Sequence, residues 1–226
     1  MKALCVDSAS SRMTVSAKNE EDCISLTLDI GPSQSQELLP AIDYVLNKTG
    51  LKPQDLDYMA LCKGPGTFTG LRLAFAALKA IELAFNKPVY GISTLECYAY
   101  PFKDFNGQVI TTIDAKKNQF FAAIFEKGKP VMKEEDTSVE KVLSQLNKEK
   151  PVLCAGPDGA LFRETLKKAC PELNVISFNL QENPCISLFE MAEKLISENA
   201  QPLKDFDGPE YLRKSEAELA LESKNS

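Results

Sequence analysis

"LCKGPGTFTGL" at residues 61–71 and "LCAGPDGALF" at residues 153–162 share a layout: an apolar run ends at a Gly-Pro turn and a second apolar run follows within a few residues. Short apolar runs bounded by Gly and Pro read as buried strands, and the runs behind these turns carry helical spacing. Upstream, "CVDSASSRMTVSA" (5–17) aligns with "TIDAKKNQFFAAI" (112–124), placing Asp7 and Asp114 at equivalent strand ends. Two matches in the same order indicate a duplicated α/β chain. Around them, residues 2–7, 12–17 and 24–30 read as three strands. Residues 35–50 place Leu38, Leu39, Ile42, Val45 and Leu46 on one helical face, stopping at Gly50. Ser33 and Gln36 fit a capping box, and Pro40 has to sit near the first turn or kink the helix. A strand at 57–62 leads into the first turn. The pattern recurs with strands at 109–115 and 119–125, a weaker edge near Val131, a helix at 138–148, a strand at 151–156 and a helix at 159–169.

The expectation is therefore two βββαβα halves, residues 1–103 and 104–226, joined through "PFKDFNG" (101–107). A last amphipathic helix at 185–198 is expected to pack back on the first half, ahead of a polar tail. At 44% hydrophobic and 26% charged residues the composition is that of a soluble globular chain, and no apolar stretch is long and uncharged enough to span a bilayer. The opening residues run straight into strand-like sequence without a secretory leader, so a cytoplasmic protein is expected. Seven cysteines, with no CxxC pair, read as small core residues of a reducing compartment. The complete absence of histidine removes the commonest general base and transition-metal ligand, and with them any His-based triad or HxxxH metal centre. A net charge of -6 opposes strong binding to a phosphate backbone, so nucleic acid would be held mostly by another subunit.

The glycines at 64, 66 and 70 raise a choice between a phosphate cradle and a packing turn. The spacing is GxGxxxG, with neither the GxGxxG of a dinucleotide loop nor a following Gly-Lys-Ser/Thr, and Pro65 lacks an N–H to offer an anion. Gly64, Pro65, Gly66, Thr69, Gly70 and Arg72 are therefore read as a structural turn, with Thr67 or Thr69 capping the helix and Gly70 allowing close backbone approach. The helix behind it has two apolar stripes. Leu71, Ala74, Phe75, Leu78 and Phe85 form one, and Leu73, Ala76, Ala77, Ala80 and Ala84 the other. A helix apolar on two faces needs covering twice, once by its own sheet and once by the other half of the chain or by another subunit. Asp7 and Asp114 could hold a metal-nucleotide complex, yet "SASS" and "AKKN" follow them without a glycine. The alternative reading they support is a small ATPase or kinase of actin-like fold.

The blocks "CVDSAS", "QSQELLPAI", "GPGTFTGLR", "GISTLE", "IDAKKNQFF" and "PEYLRKSEAE" run through nearly the whole chain in order, and together they resemble the bacterial TsaB (YeaZ) family. That resemblance implies the actin-like, sugar kinase and Hsp70 (RNase-H-like) architecture. It implies a non-catalytic scaffold that binds and activates a catalytic TsaD subunit and helps recruit a TsaE ATPase, to install threonylcarbamoyl on adenosine 37 of tRNA. ATP or ADP and metal would sit on the partner subunits, tRNA would be met only through the complex, and the chain would pair with itself when the partner is absent. Carried onto this sequence, the partner surface comprises Gln34, Leu38, Ala41, Val45, Leu73, Ala76, Ala77, Ala80 and Ala84, with Asp7 and Asp114 as a vestigial nucleotide site. Many family members have histidine where Gln34 stands.

Overall fold

The computed structural model describes residues 1–20, 22–177 and 183–213. Strands β1 (Lys2–Asp7), β2 (Arg12–Asn19) and β3 (Asp22–Asp29) form an antiparallel meander whose register sets Asp7 opposite Thr14 and Arg12 opposite Asp29. Helix α1 (Gln34–Lys48) returns the chain to β4 (Tyr58–Gly64), parallel to β1. Helix α2 (Phe68–Phe85) returns it to β5 (Val89–Ser93), parallel to β4, and α3 (Thr94–Ala99) leads out. The same series follows: β6 (Gln108–Asp114), β7 (Phe120–Glu126), β8 (Lys129–Thr137), α4 (Val139–Gln145), β9 (Val152–Ala155), α5 (Gly159–Ala169), β10 (Val175–Ser177) and α6 (Pro184–Ser197). The sheet orders β3-β2-β1-β4-β5 and β8-β7-β6-β9-β10 are identical in topology.

Each half is thus βββαβαβα; beyond the βββαβα pattern and the last helix expected at 185–198, each half gains a strand and the first half gains α3. The added elements are short. β5 has five residues with a glycine in the middle, β10 has three and α3 has six, too few turns or alternations for periodicity to register. Two local expectations also change. Ser33 stands at the N-terminus of α1 without making a side-chain cap bond, because a 3-10 turn at Gly31–Ser33 runs directly into the helix. Pro40 lies inside α1 on its exposed side, where the cost is one missing i to i−4 hydrogen bond.

Alternation along the strands divides the cores. Leu4 and Val6 of β1 face α1 and α2, packing with Leu38, Val45, Ala74 and Leu78, whereas Ala3 and Cys5 face α6 through Cys185, Leu188 and Ala192. The second sheet buries Ile110 and Ile124 against Val142 of α4 and Phe162 of α5. Its other face, Val109, Ala123 and Leu153, packs on Leu95 and Ala99 of α3. Of the seven cysteines, six are buried and Cys23 is exposed on β3.

A strap after α6 crosses the molecule. The Leu203 N–H donates to the Val89 carbonyl (2.8 Å) and the Glu210 N–H to the Lys63 carbonyl (2.8 Å). Arg213 then grips Asp136 with two hydrogen bonds, Nε at 2.6 Å and Nη2 at 2.9 Å, and reaches the Ala115 carbonyl with Nη1 at 2.6 Å. A bidentate guanidinium–carboxylate pair fixes both position and orientation. It fastens the end of the strap to the second sheet.

Candidate functional site

The glycines of the first turn are covered by protein. A methyl group on Gly66 would stand 2.5 Å from the Ala9 carbonyl oxygen and 2.8 Å from its Cα, one on Gly70 would overlap the Ser8 carbonyl, and one on Gly64 would overlap the Glu210 carbonyl. Gly64 also holds φ +127°, a conformation that only glycine adopts freely. Hydrogen bonds complete the contact: the Ser8 hydroxyl donates to the Gly70 carbonyl (2.7 Å) and the Thr67 N–H donates to the Ala9 carbonyl (2.8 Å). A phosphate cradle needs open backbone N–H groups. Here the space above the glycines holds the β1–β2 turn and the strap, so this turn does not fit a phosphate. Thr67 occupies the N-cap of α2 but its hydroxyl makes no cap bond, correcting that expectation.

The two strand-end aspartates have separate environments. Asp7 is 1% exposed, accepting from the Tyr98 hydroxyl (2.8 Å) and the Ala9 N–H (3.0 Å), and burial pushes its carboxyl pKa up against the pull of both bonds. Asp114 instead borders a cleft of about 530 Å³ between the halves, together with Arg12, Asp29, Thr67, Lys116 and Asp158. Asp7 is not among the residues lining this cleft. Partial burial works to raise the Asp114 pKa, but the Lys116 ammonium (2.7 Å) and backbone N–H (2.8 Å) outweigh it and hold the carboxyl below its usual range. Asp158 accepts from the Asp114 N–H (2.7 Å), and burial followed by the Asp114 charge raises its pKa. Sequence reasoning singled out neither Arg12 nor Asp158. The turn match at "GPDG" was the available signal for Asp158, and the register of β2 was the missing one for Arg12.

The candidate partner surface divides when placed in the fold. Gln34 is buried with its Nε2 donating to the Ser10 carbonyl (2.6 Å), and Leu38, Ala41, Val45 and Ala77 belong to the core between α1, α2 and the first sheet. These five are corrected from partner-facing to inward. The 3.6 period defined a common face on α1 but not which neighbour that face meets. Leu73 is half-buried against the same core, while Ala76, Ala80 and Ala84 point outward. Phe85, grouped with the inner stripe, is exposed at the end of α2. The outward row gains Leu83, 89% exposed, and across on α1 Leu39 and Tyr44 are 63% and 47% exposed. Arg72 points out of the turn, flanked by Phe68 and Tyr211. The outward row of α2 is thus small and uncharged, with large exposed apolar side chains on both α1 and α2.

The family model for TsaD, tRNA N6-adenosine threonylcarbamoyltransferase, matches residues 32–221. The chain belongs to the TsaD family, within its TsaB branch. The tRNA threonylcarbamoyladenosine biosynthesis protein TsaB of Bacillus subtilis (strain 168) is 25% identical over 226 residues, 96% of each chain. A tRNA N6-adenosine threonylcarbamoyltransferase of Anaeromyxobacter dehalogenans (strain 2CP-C) is 37% identical over 60 residues, 26% of this chain and 18% of that one. A Pseudomonas aeruginosa crystal structure described as similar to peptidase YeaZ superposes with TM-score 0.77 over 94% of this chain and 99% of its own, at 21% identity. The doubled sheets and these neighbours make the architecture of this TsaB-branch chain the actin-like α/β fold. No helix among the described residues is long and apolar enough to cross a membrane.

Proposed function

We propose that this chain is a non-catalytic scaffold in the biosynthesis of threonylcarbamoyladenosine on tRNA, holding a TsaD-type catalytic subunit against the outer face of α2. Family membership supplies the pathway, since the full-length B. subtilis relative is named for it. The observation that carries the scaffold reading is the row Ala76, Ala80, Leu83 and Ala84, exposed and free of charge on a helix whose opposite face is already satisfied by its own sheet. Alanines let a partner helix approach closely, and Leu39, Tyr44 and Leu83 supply the apolar area around them.

In this reading the TsaD-type subunit carries nucleotide, metal and the reacting groups. Fixing a catalytic subunit in a productive shape raises its rate through positioning alone. A TsaE-type ATPase engages the assembled pair near the cleft, tRNA is met through the complex, and a second copy of the chain covers the α2 face when the partner is absent. The closing of the glycine turn and the burial of Asp7 favour this reading over an ATPase that uses Asp7 and Asp114.

The test is complex formation with the TsaD-type protein of the same genome, followed by size-exclusion chromatography with light scattering. Ala76→Asp and Ala80→Arg each place a charge where the partner seats and are expected to abolish co-migration with folding unchanged. Co-migration of either variant at the wild-type level would refute the interface.

A further inference from the structure

Among the exposed positions of α2, Arg72 is the one that carries a charge; Lys79 and Glu82 are half-buried and pair with each other at 2.7 Å. On a chain of net charge -6 this is a lone cation at the edge of an apolar row. Its guanidinium carbon lies 5.7 Å from the centre of the Phe68 ring and 5.6 Å from that of Tyr211, and the two rings are 4.7 Å apart. Nε donates to the Tyr211 hydroxyl at 2.9 Å. Among the described residues no carboxylate pairs with this guanidinium. With Nε given to Tyr211, the two terminal nitrogens keep the planar N–H fork that takes a carboxylate through two bonds.

Tyr211 is itself held. It sits on the strap between the Lys63–Glu210 ion pair (2.6 Å) and the Arg213–Asp136 pair, each anchored to a different sheet. Two aromatic rings and one hydrogen bond thus fix the Arg72 rotamer in the free chain, so the side-chain ordering that normally weakens an arginine contact has occurred before a partner arrives. Ala76 follows one turn later, about 6 Å along the helix axis. A partner covering Ala76 and Ala80 also covers Arg72, and an unpaired guanidinium buried there would oppose association.

We infer that Arg72 is the electrostatic anchor of the α2 docking face and receives an Asp or Glu carboxylate from the partner surface seated on Ala76 and Ala80. The inference rests on the docking role proposed for α2. It adds the chemistry of recognition: the partner needs an acceptor within one helical turn of its own close-packing residues, and a face with lysine or arginine there is rejected.

Isothermal titration of the TsaD-type protein of the same genome into wild-type chain, Arg72→Met, Arg72→Lys and Tyr211→Phe tests this. Arg72→Met is expected to weaken binding about 30-fold or more, in the range of a buried arginine hot spot. Arg72→Lys should lose about tenfold because lysine lacks the planar fork, and Tyr211→Phe about threefold through the lost hydrogen bond. Substituting the partner's surface carboxylates one at a time should reveal one whose loss matters to wild type and no longer matters to Arg72→Met. Wild-type affinity for Arg72→Met and Tyr211→Phe, with Ala80→Arg still abolishing the complex, would overturn the anchor and leave the docking face standing. Wild-type affinity for Ala80→Arg would instead remove the docking face, and the anchor with it.

Discussion

α2 and α5 follow the fourth strand of the same sheet order, yet their outer surfaces differ. Inward, both are apolar: Leu71, Ala74 and Leu78 of α2, Phe162 and Leu166 of α5. Outward, α5 exposes Leu161 beside Glu164 and Lys168, with Arg163 and Lys167 half-buried at its flanks. Between Arg72 and Asn86, α2 exposes only Ala76, Ala80, Leu83, Ala84 and Phe85. The fold requires the inner faces alone. What the duplicated halves put on the outside is free to vary: between Arg72 and Asn86 the exposed surface of α2 is uncharged, whereas that of α5 carries charges.

The largest effect should come from charging the outer face. Ala80→Arg is expected to cost the TsaD-type complex about 3 to 5 kcal/mol, read by titration calorimetry, whereas a substitution on the exposed side of α5, Lys168→Ala, should leave binding untouched. The inner faces should behave alike: Leu78→Ala and Leu166→Ala are each expected to lower unfolding free energy by about 3 kcal/mol in urea titrations. A loss near zero for either would mean that this half's core does not depend on its helix. Gly70→Ala, which drives a methyl into the Ser8 carbonyl, should cost about 2 kcal/mol.

A smaller effect separates the aspartates. Burial raises the Asp7 pKa in the folded chain, so the unfolded chain releases that proton first, and this contribution to stability is present at low pH and declines as pH rises through the window between the ordinary and raised values. Asp114 has the opposite sign: its lowered pKa adds stability above the ordinary carboxylate range, lost as pH falls through the folded value. Unfolding curves across acid to neutral pH should show the falling limb reduced in Asp7→Asn and the rising limb reduced in Asp114→Asn. Identical profiles for the two variants would show that the strand ends are equivalent after all. Least of all, Glu164→Ala on α5 should stay within about 0.5 kcal/mol of wild type in stability.

Local chemistry made much of the fold readable. The paired Gly-Pro turns and the alternation of the meanders marked both halves, and the bounds read for the helix at 159–169 are those of α5. β5, β10 and α3 were too short to carry a period. The site was less legible because its decisive facts are long-range. Tyr98 seals Asp7 from 91 residues away, and Tyr211 reaches Arg72 across 139 residues. The period of α1 showed that Leu38, Ala41 and Val45 share a face, but only the rotation of the helix on its sheet determines that this face is the buried one.

The most direct test of the scaffold reading is tRNA threonylcarbamoylation by purified TsaD-type and TsaE-type proteins supplied with ATP, threonylcarbamoyl-adenylate and tRNA, with and without this chain. Product only when the chain is present, and none when Ala80→Arg replaces it, is the predicted result. Equal product with and without the chain would contradict the account.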